Sequence, residues 1–77
     1  MFHKQRNSQR MMLNERTAYT LPSHVRGIRV ISGKAWVTLG REDVVVGTQE
    51  TFYLRPNRHG TVITALGRGH LEFDLIA

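Results

Sequence analysis

The segment RPNRHG, residues 55–60, carries the densest group of side chains in this chain that could do chemistry. Its two arginines could bind an anion, and His59 could ligate a metal ion or transfer a proton. The segment also suits a plain turn, because Pro56 fixes φ and Gly60 lets the chain re-enter a strand. We therefore interpret it as a structural turn whose cationic side chains are candidate anion contacts.

A metal centre requires three or four His, Cys or carboxylate ligands that converge from fixed elements. The chain has no cysteine and four histidines, His3, His24, His59 and His70, and no two of these show H-x-H or H-x-x-x-H spacing. His24 and His59 are expected in loops, and His70 on the outer side of the last strand. We therefore predict no metal ligands and no cofactor.

Paired titratable groups for acid–base catalysis are also few. Glu42 and Asp43 are adjacent in sequence, so their side chains are expected to point apart. Glu72 and Asp74 share a strand face with His70, a pattern typical of a solvated surface. No Ser-His-Asp order or nucleophile elbow is present. We expect no catalytic residues and no enzymatic activity.

Basic residues outnumber acidic ones by 11 to six, which gives a net charge of +5. Such an excess attracts polyanions, and small basic β-domains bind single strands by combining a cationic groove with exposed aromatic rings. The candidate anion or nucleic-acid contacts are Arg55, Arg58, His59, Arg26, Lys34 and Arg68. Nucleic-acid binding is an alternative function rather than the favoured one, because no strand shows an aromatic-x-aromatic pattern.

The elements that would hold these residues are strands. HLEFDLIA at 70–77 and GKAWVTLG at 33–40 alternate apolar and polar residues, which is typical of strands with one buried face. The segments TAYTL, GIRVI, DVVVG, ETFYL and GTVITAL are rich in β-formers. Ser32-Gly33 predicts a two-residue hairpin, and 39–43 and 67–69 predict further turns. The predicted fold class is all-β, a small antiparallel β-roll or barrel of about six or seven strands.

One domain is the most that 77 residues allow. Residues 1–10 contain three basic side chains and no acid, and we predict that they form a flexible basic N-terminal tail. Residues 11–77 are the predicted β-domain. No signal peptide and no membrane-spanning run is visible, so we expect a cytoplasmic protein that does not contact a membrane.

The order of these features resembles the cupin pattern, a roll of β-strands. SGKAWVTL is followed by the charged turn GRED, by VVVG, by TFYL, by a loop with a proline and a histidine, and by GTVITAL. More closely, Gly33 to Thr38, Asp43 and Gly47 are similar to the G-x-x-W-V-T segment, aspartate and glycine of a small, uncharacterised bacterial family of cupin-like domains. The resemblance covers about residues 12–77 and implies a cupin-like fold, of the half-jelly-roll kind.

Enzymatic cupins resemble one another in a first motif with two histidines and a glutamate and a second motif with one further histidine, and these residues hold a metal. By this resemblance His59 stands where the second-motif histidine is expected. The stretch that corresponds to the first motif, residues 33–47, contains no histidine. The resemblance therefore implies the fold and leaves a metal-dependent enzyme as the least favoured alternative.

The function that the sequence favours is a non-catalytic module that acts by self-association or by binding a partner protein. A domain this small buries only about 60% of the surface that its unfolded chain exposes, and association is one way to gain stability. The candidate interface residues are Trp36, Arg29, Ile31 and Tyr53, on strand faces that point away from the core. Trp36 and Arg29 are the expected anchors, because Trp and Arg are enriched at interface hot spots. We expect a homo-oligomer.

Overall fold

The computed structural model describes residues 8–55 and 59–77 of the chain, and of Ser8 only the backbone. Within these residues the chain forms eight strands and no helix: β1 (Ser8–Leu13), β2 (Ala18–Thr20), β3 (Gly27–Ser32), β4 (Lys34–Leu39), β5 (Glu42–Val46), β6 (Thr51–Tyr53), β7 (Thr61–Leu66) and β8 (Leu71–Ile76). The all-β prediction is confirmed. The number of strands was wrong, since there are eight rather than six or seven.

Strand β1 begins inside the segment that the sequence predicts to be a tail, and residues 1–7 lie outside the described part of the chain. It pairs with β8 along its whole length. On the solvent side Arg10 binds Asp74 and also Glu72, whose Oε2 lies 2.9 Å from Nη1 of the guanidinium. The hydrogen bonds to Asp74, and then those to Glu72, raise the pKa of Arg10 above its usual value. A contact across more than sixty residues therefore helps to hold the first strand in the sheet.

The strands form two four-stranded antiparallel sheets: sheet 1 in the order β1-β8-β3-β6, and sheet 2 in the order β2-β7-β4-β5. Four of the pairings join strands whose numbers add to nine: β1 with β8, β2 with β7, β3 with β6, and β4 with β5. The chain is thus one long antiparallel ribbon that turns back at the β4–β5 hairpin and is rolled into two layers. This is the strand order of a jelly roll.

The core lies between the two sheets and follows the period of two along each strand. Alternate residues of the central strands are buried: in sheet 1 Ile28, Val30, Leu71, Phe73 and Leu75, and in sheet 2 Ala35, Val37, Leu39, Ile63 and Ala65. The inward faces that the sequence predicts for β4 and β8 are confirmed. Each of the larger side chains contributes about 1.5–3 kcal/mol relative to an exposed position.

Gly33 is the residue at which the chain leaves sheet 1 and enters sheet 2. β3 ends at Ser32 and β4 begins at Lys34, but these strands pair with other strands, so the predicted Ser32-Gly33 hairpin was wrong. Gly33 has a φ of 93°, and a Cβ at this position would lie 2.9 Å from the carbonyl oxygen of His70. Its own carbonyl accepts a hydrogen bond of 2.8 Å from Oγ1 of Thr48. Glycine is therefore required for a corner between layers, where both the backbone conformation and the close approach exclude a side chain.

The other two predicted turns lie at the ends of strands as expected. At 39–43 the structure has a hairpin, in which Leu39 pairs with Glu42 and Gly40, with a φ of 62°, begins the two-residue loop. Residues 67–69 connect β7 of sheet 2 to β8 of sheet 1, so this turn is a second corner between the layers.

We expect Gly33→Ala to destabilise the domain more than Gly67→Ala. Gly67 also has a positive φ, of 80°, but open space surrounds its Cβ position. Gly67→Ala should therefore lower the free energy of unfolding by only about 1–2 kcal/mol, which is the cost of holding an L-residue in the left-handed conformation. Gly33→Ala should cost more, because the methyl group also meets the fixed carbonyl oxygen of His70. Urea unfolding of both variants measures the difference, and equal losses would show that the approach to His70 does not constrain the corner.

Candidate functional site

The outer side of sheet 2 carries five apolar side chains, three threonines and two charges, and we call it the apolar face. It consists of the strand residues that point away from the core: Ala18, Thr20, Lys34, Trp36, Thr38, Asp43, Val45, Val62, Thr64 and Leu66. Trp36 lies near its centre, in register with Thr64 on one side and Val45 on the other. Trp36 is 41% exposed and Val45 is 56% exposed. Two large apolar side chains thus lie side by side in contact with solvent.

Two opposite charges lie at opposite ends of the apolar face. Lys34 begins β4, and Asp43 is in register with Thr38 near the end of β4. Their positions are about 14 Å apart, from a rise of about 3.3 Å per residue and a strand spacing of about 4.8 Å. Within residues 8–55 and 59–77 neither side chain makes an ion pair. The two charges are therefore too far apart to bind each other within one copy of the chain.

The outer side of sheet 1 has the opposite character, because Arg10 and Arg29 have partners on the same sheet or in the turn before β6. Arg10 binds Asp74 and Glu72 as described above. Arg29 donates to Oγ1 of Thr51 at 3.3 Å and to Oε1 of Gln49 at 3.1 Å. These contacts satisfy much of the hydrogen-bonding capacity of both guanidinium groups within the domain.

Tyr53 is the most exposed large hydrophobic side chain of sheet 1, at 68%. Its strand position is in register with Gly27 of β3. A Cβ built on Gly27 would lie 3.1 Å from Cδ1 of the tyrosine ring, so the ring occupies space that a side chain there would need. An aromatic ring opposite a strand glycine fills the gap that the missing side chain leaves. The position of Tyr53 is thus explained by the pairing of β3 with β6.

The four candidate interface residues do not form one surface. Trp36 lies on the apolar face, whereas Arg29 and Tyr53 lie on the outer side of sheet 1, across the domain. Ile31 lies at a register shift between Val30 and Ser32 and is half-buried. The alternation of residues shows which side chains point outward but does not show in which sheet each strand lies.

A cleft of about 540 Å³ lies at the end of the sandwich where β3 begins. The described residues that line it come from the loop 21–26, from Leu54 and Arg55, and from Gly60 and Thr61. We call it the basic cleft, because His24, Arg26 and Arg55 lie on its rim and none of the described residues that line it is acidic. Arg55 also reaches out of the cleft, with Nη2 at 2.9 Å from Oε1 of Glu42.

The six candidate anion contacts are divided between the two ends of the domain. Arg26 and Arg55 share the basic cleft, and His59 is exposed in a turn. Lys34 and Arg68 lie at the opposite end, next to Leu66. The remaining candidate, Arg58, lies outside the described residues. The described cations therefore do not form one continuous groove.

A second cleft, of about 400 Å³, lies beside Trp36 and is lined by Glu15, Arg16 and Arg68 among others. Arg16 has a φ of 64°, in the left-handed region, and its backbone N–H donates to the carbonyl of Ala65 at 3.3 Å. No pattern in the sequence marks Arg16 as part of a site, and only the asparagine and glutamate that precede it suggest a turn. The cleft forms one border of the apolar face.

Among residues 8–55 and 59–77, no group of three His, Cys, Asp or Glu side chains is placed to hold a metal ion. In the same residues, no helix has the length and apolar character needed to cross a bilayer. Comparison of the chain with protein-family models, with curated proteins and with solved structures finds no match.

We expect Trp36→Thr to cost about 1 kcal/mol of stability in the dilute protein, because the indole is already partly in water and threonine favours strands. Truncation of a core aromatic costs about 3–5 kcal/mol, and Phe73→Ala should cost that much or leave the domain unfolded. Phe73 is 0% exposed, which makes it the matched control. Urea unfolding at low micromolar concentration measures both variants, and a loss of 3 kcal/mol or more for Trp36→Thr would identify Trp36 as a core residue.

Proposed function

We propose that this chain is a non-catalytic, cupin-like module that self-associates through the apolar face. The proposal rests on one observation: Trp36 and Val45, which are neighbours at the centre of that face, are both exposed to solvent. The rolled order of the eight strands supports the cupin-like part. The absence of any histidine from residues 33–47, the stretch that resembles the first cupin motif, supports the non-catalytic part.

The charges on the apolar face favour a second copy of the chain as the partner. A two-fold axis that lies in the face, perpendicular to β4 and near Trp36, would stack two such faces with antiparallel strands. Trp36 is midway between positions 34 and 38, so this axis exchanges the two ends of β4. Lys34 would then approach the partner's Asp43, and this contact would occur twice, as in any isologous interface. Both tryptophans would lie close to the axis.

The size of the face sets the expected strength of association. Four strands about 4.8 Å apart and about 20 Å long give a face of roughly 400 Å² in projection. Stable dimers bury about 800 Å² on each partner. The apolar face is therefore small for a permanent dimer, and we expect a dissociation constant in the micromolar range or weaker. Burial of apolar side chains contributes about 25 cal/mol per Å², so most of the favourable free energy comes from the region around Trp36.

Self-association explains more of the described surface than nucleic-acid binding does. A single-strand site needs a continuous cationic groove with exposed rings beside it. The candidate contacts Arg26, Arg55, Lys34 and Arg68 are divided between two ends, and the apolar face between them carries threonines, valines and Leu66 rather than further cations. The aromatic rings that could stack on bases are Tyr19, Trp36 and Tyr53, of which Tyr19 packs against the core and Tyr53 lies over Gly27.

The test of the proposed function is sedimentation equilibrium over a range from about 5 to 500 μM, with charge reversals on the apolar face. We expect a monomer–dimer equilibrium. Trp36→Thr should raise its dissociation constant at least about tenfold, because the dimer loses one buried tryptophan from each copy of the chain. Lys34→Glu and Asp43→Lys should each weaken the dimer through like-charge contacts. The double variant should recover most of the affinity, because both contacts re-form with reversed sign.

Met12→Thr is the matched control, because Met12 is 57% exposed and lies on the outer side of sheet 1. It should leave the dimer unchanged. A monomer at every concentration would overturn the proposal. A dimer that ignores Trp36→Thr and both charge reversals would exclude this face. A species that carries 260 nm absorbance and loses it in high salt would favour nucleic-acid binding instead.

A further inference from the structure

The basic cleft has an apolar floor as well as a cationic rim. Leu21 and Val25 belong to the hydrophobic core and are 6% and 7% exposed, and Leu54 packs against the same core. These three side chains close the inner end of the cleft, while Arg26 and Arg55 are exposed at its mouth. A ligand that enters the cleft therefore meets guanidinium groups first and apolar side chains further in.

Backbone hydrogen bonds hold both walls of the cleft in place. The amide of Arg26 donates to the carbonyl of Ile76 at 2.7 Å, and the amide of Leu54 donates to the carbonyl of Arg26 at 2.8 Å. The amide of Leu21 donates to the carbonyl of Thr61 at 2.9 Å, and a turn from Pro22 to Val25 is closed at 3.1 Å. The loop 21–26 is thus tied to sheet 1 at one end and to β7 at the other. These described parts of the walls therefore require little reordering when a ligand binds.

The two arginines differ in how much of their charge is available. Arg26 makes no side-chain hydrogen bond or ion pair within residues 8–55 and 59–77. Arg55 is paired with Glu42, but the two side chains are 73% and 58% exposed. Exposed pairs of this kind contribute little and exchange readily with other partners. An anion in the cleft can therefore bind Arg26 directly and compete with Glu42 for Arg55.

We infer that the basic cleft binds a small organic anion with an apolar body. The carboxylate or phosphate head lies between Arg26 and Arg55, and the apolar body packs on Leu21, Val25 and Leu54. Guanidinium groups bind both kinds of head through paired hydrogen bonds. The cleft volume of about 540 Å³ lies within the range of about 300–1,000 Å³ that is usual for small-molecule sites. This inference does not depend on self-association, because the cleft and the apolar face involve different residues.

The experiment uses the full chain labelled with ¹⁵N and titrated with four probes: sodium octanoate, octyl phosphate, octanol and sodium acetate. Octanoate or octyl phosphate should shift the amide signals of residues 23–26, Leu54 and Arg55 in a saturable way. The tighter of the two identifies the head group. Octanol has the apolar body without an anionic head, and acetate has the carboxylate without an apolar body. Each should therefore bind at least about tenfold more weakly.

Three variants separate the cleft from general binding. Arg26→Gln and Arg55→Gln should each weaken octanoate binding at least about fivefold, because a charge-assisted contact is lost. Glu42→Gln should strengthen it about two- to threefold, since it releases Arg55, and a gain in affinity cannot arise from misfolding. Arg68→Gln, at the opposite end of the domain, is the control and should leave binding unchanged.

The inference is overturned if octanol binds as tightly as octanoate, which would show an apolar site that does not recognise anions. It is also overturned if the shifts centre on Trp36 and Val45, or if both arginine variants bind like the original chain. A complete lack of saturable shifts with octanoate and octyl phosphate would overturn it as well.

Discussion

Contact between the inner faces of the two sheets is the interaction on which the rest of the domain depends. A single apolar cluster of 14 buried side chains fills the space between the sheets in the described part of the chain. Because the cluster is one layer deep, every strand that contributes to it must turn its remaining side chains outward. Burial of Val37 therefore exposes Trp36, and burial of Ile28 and Val30 exposes Arg29 between them. The character of each outer surface follows from which residues alternate with the core.

The two outer surfaces meet this constraint in different ways. On sheet 1 the outward charges bind one another or nearby polar groups, so that Arg10 is held by Asp74 and Glu72. On sheet 2 the outward residues are mostly apolar or threonine, and the two charges at the ends of the face make no ion pair with any residue that the structure describes. A surface whose charged groups are already hydrogen-bonded within the chain gains little free energy from a partner. The apolar face, in contrast, gains free energy when its apolar side chains are removed from water. This asymmetry, rather than the presence of one tryptophan, is the reason that we assign the proposed self-association to sheet 2.

The sequence predicts the buried and exposed sides of single strands well, because the period of two is a local property. It did not predict which strands share a sheet, since pairing depends on contacts between distant residues. Gly33 shows the difference: a positive φ suits both a hairpin and a corner, and only its approach to His70 distinguishes them. Strand β1 was missed for the same reason, as its polar first half is held by residues more than sixty positions away. The grouping of Trp36 with Tyr53 on one surface failed because their strands belong to different layers.

The rolled topology also separates the two proposed binding surfaces. The apolar face belongs to the side of sheet 2, while the basic cleft opens at the end of the sandwich, where the loop 21–26 bridges the sheets. In an antiparallel stack of two apolar faces, the clefts of the two copies would open in opposite directions. Neither cleft would then be covered by the partner. A ligand in one cleft would be far from the other copy's arginines, so binding at the two sites should be independent unless the loop 21–26 moves. The same roll that leaves sheet 2 with an uncovered face therefore also leaves an open end between the sheets, with separate chemistry at each.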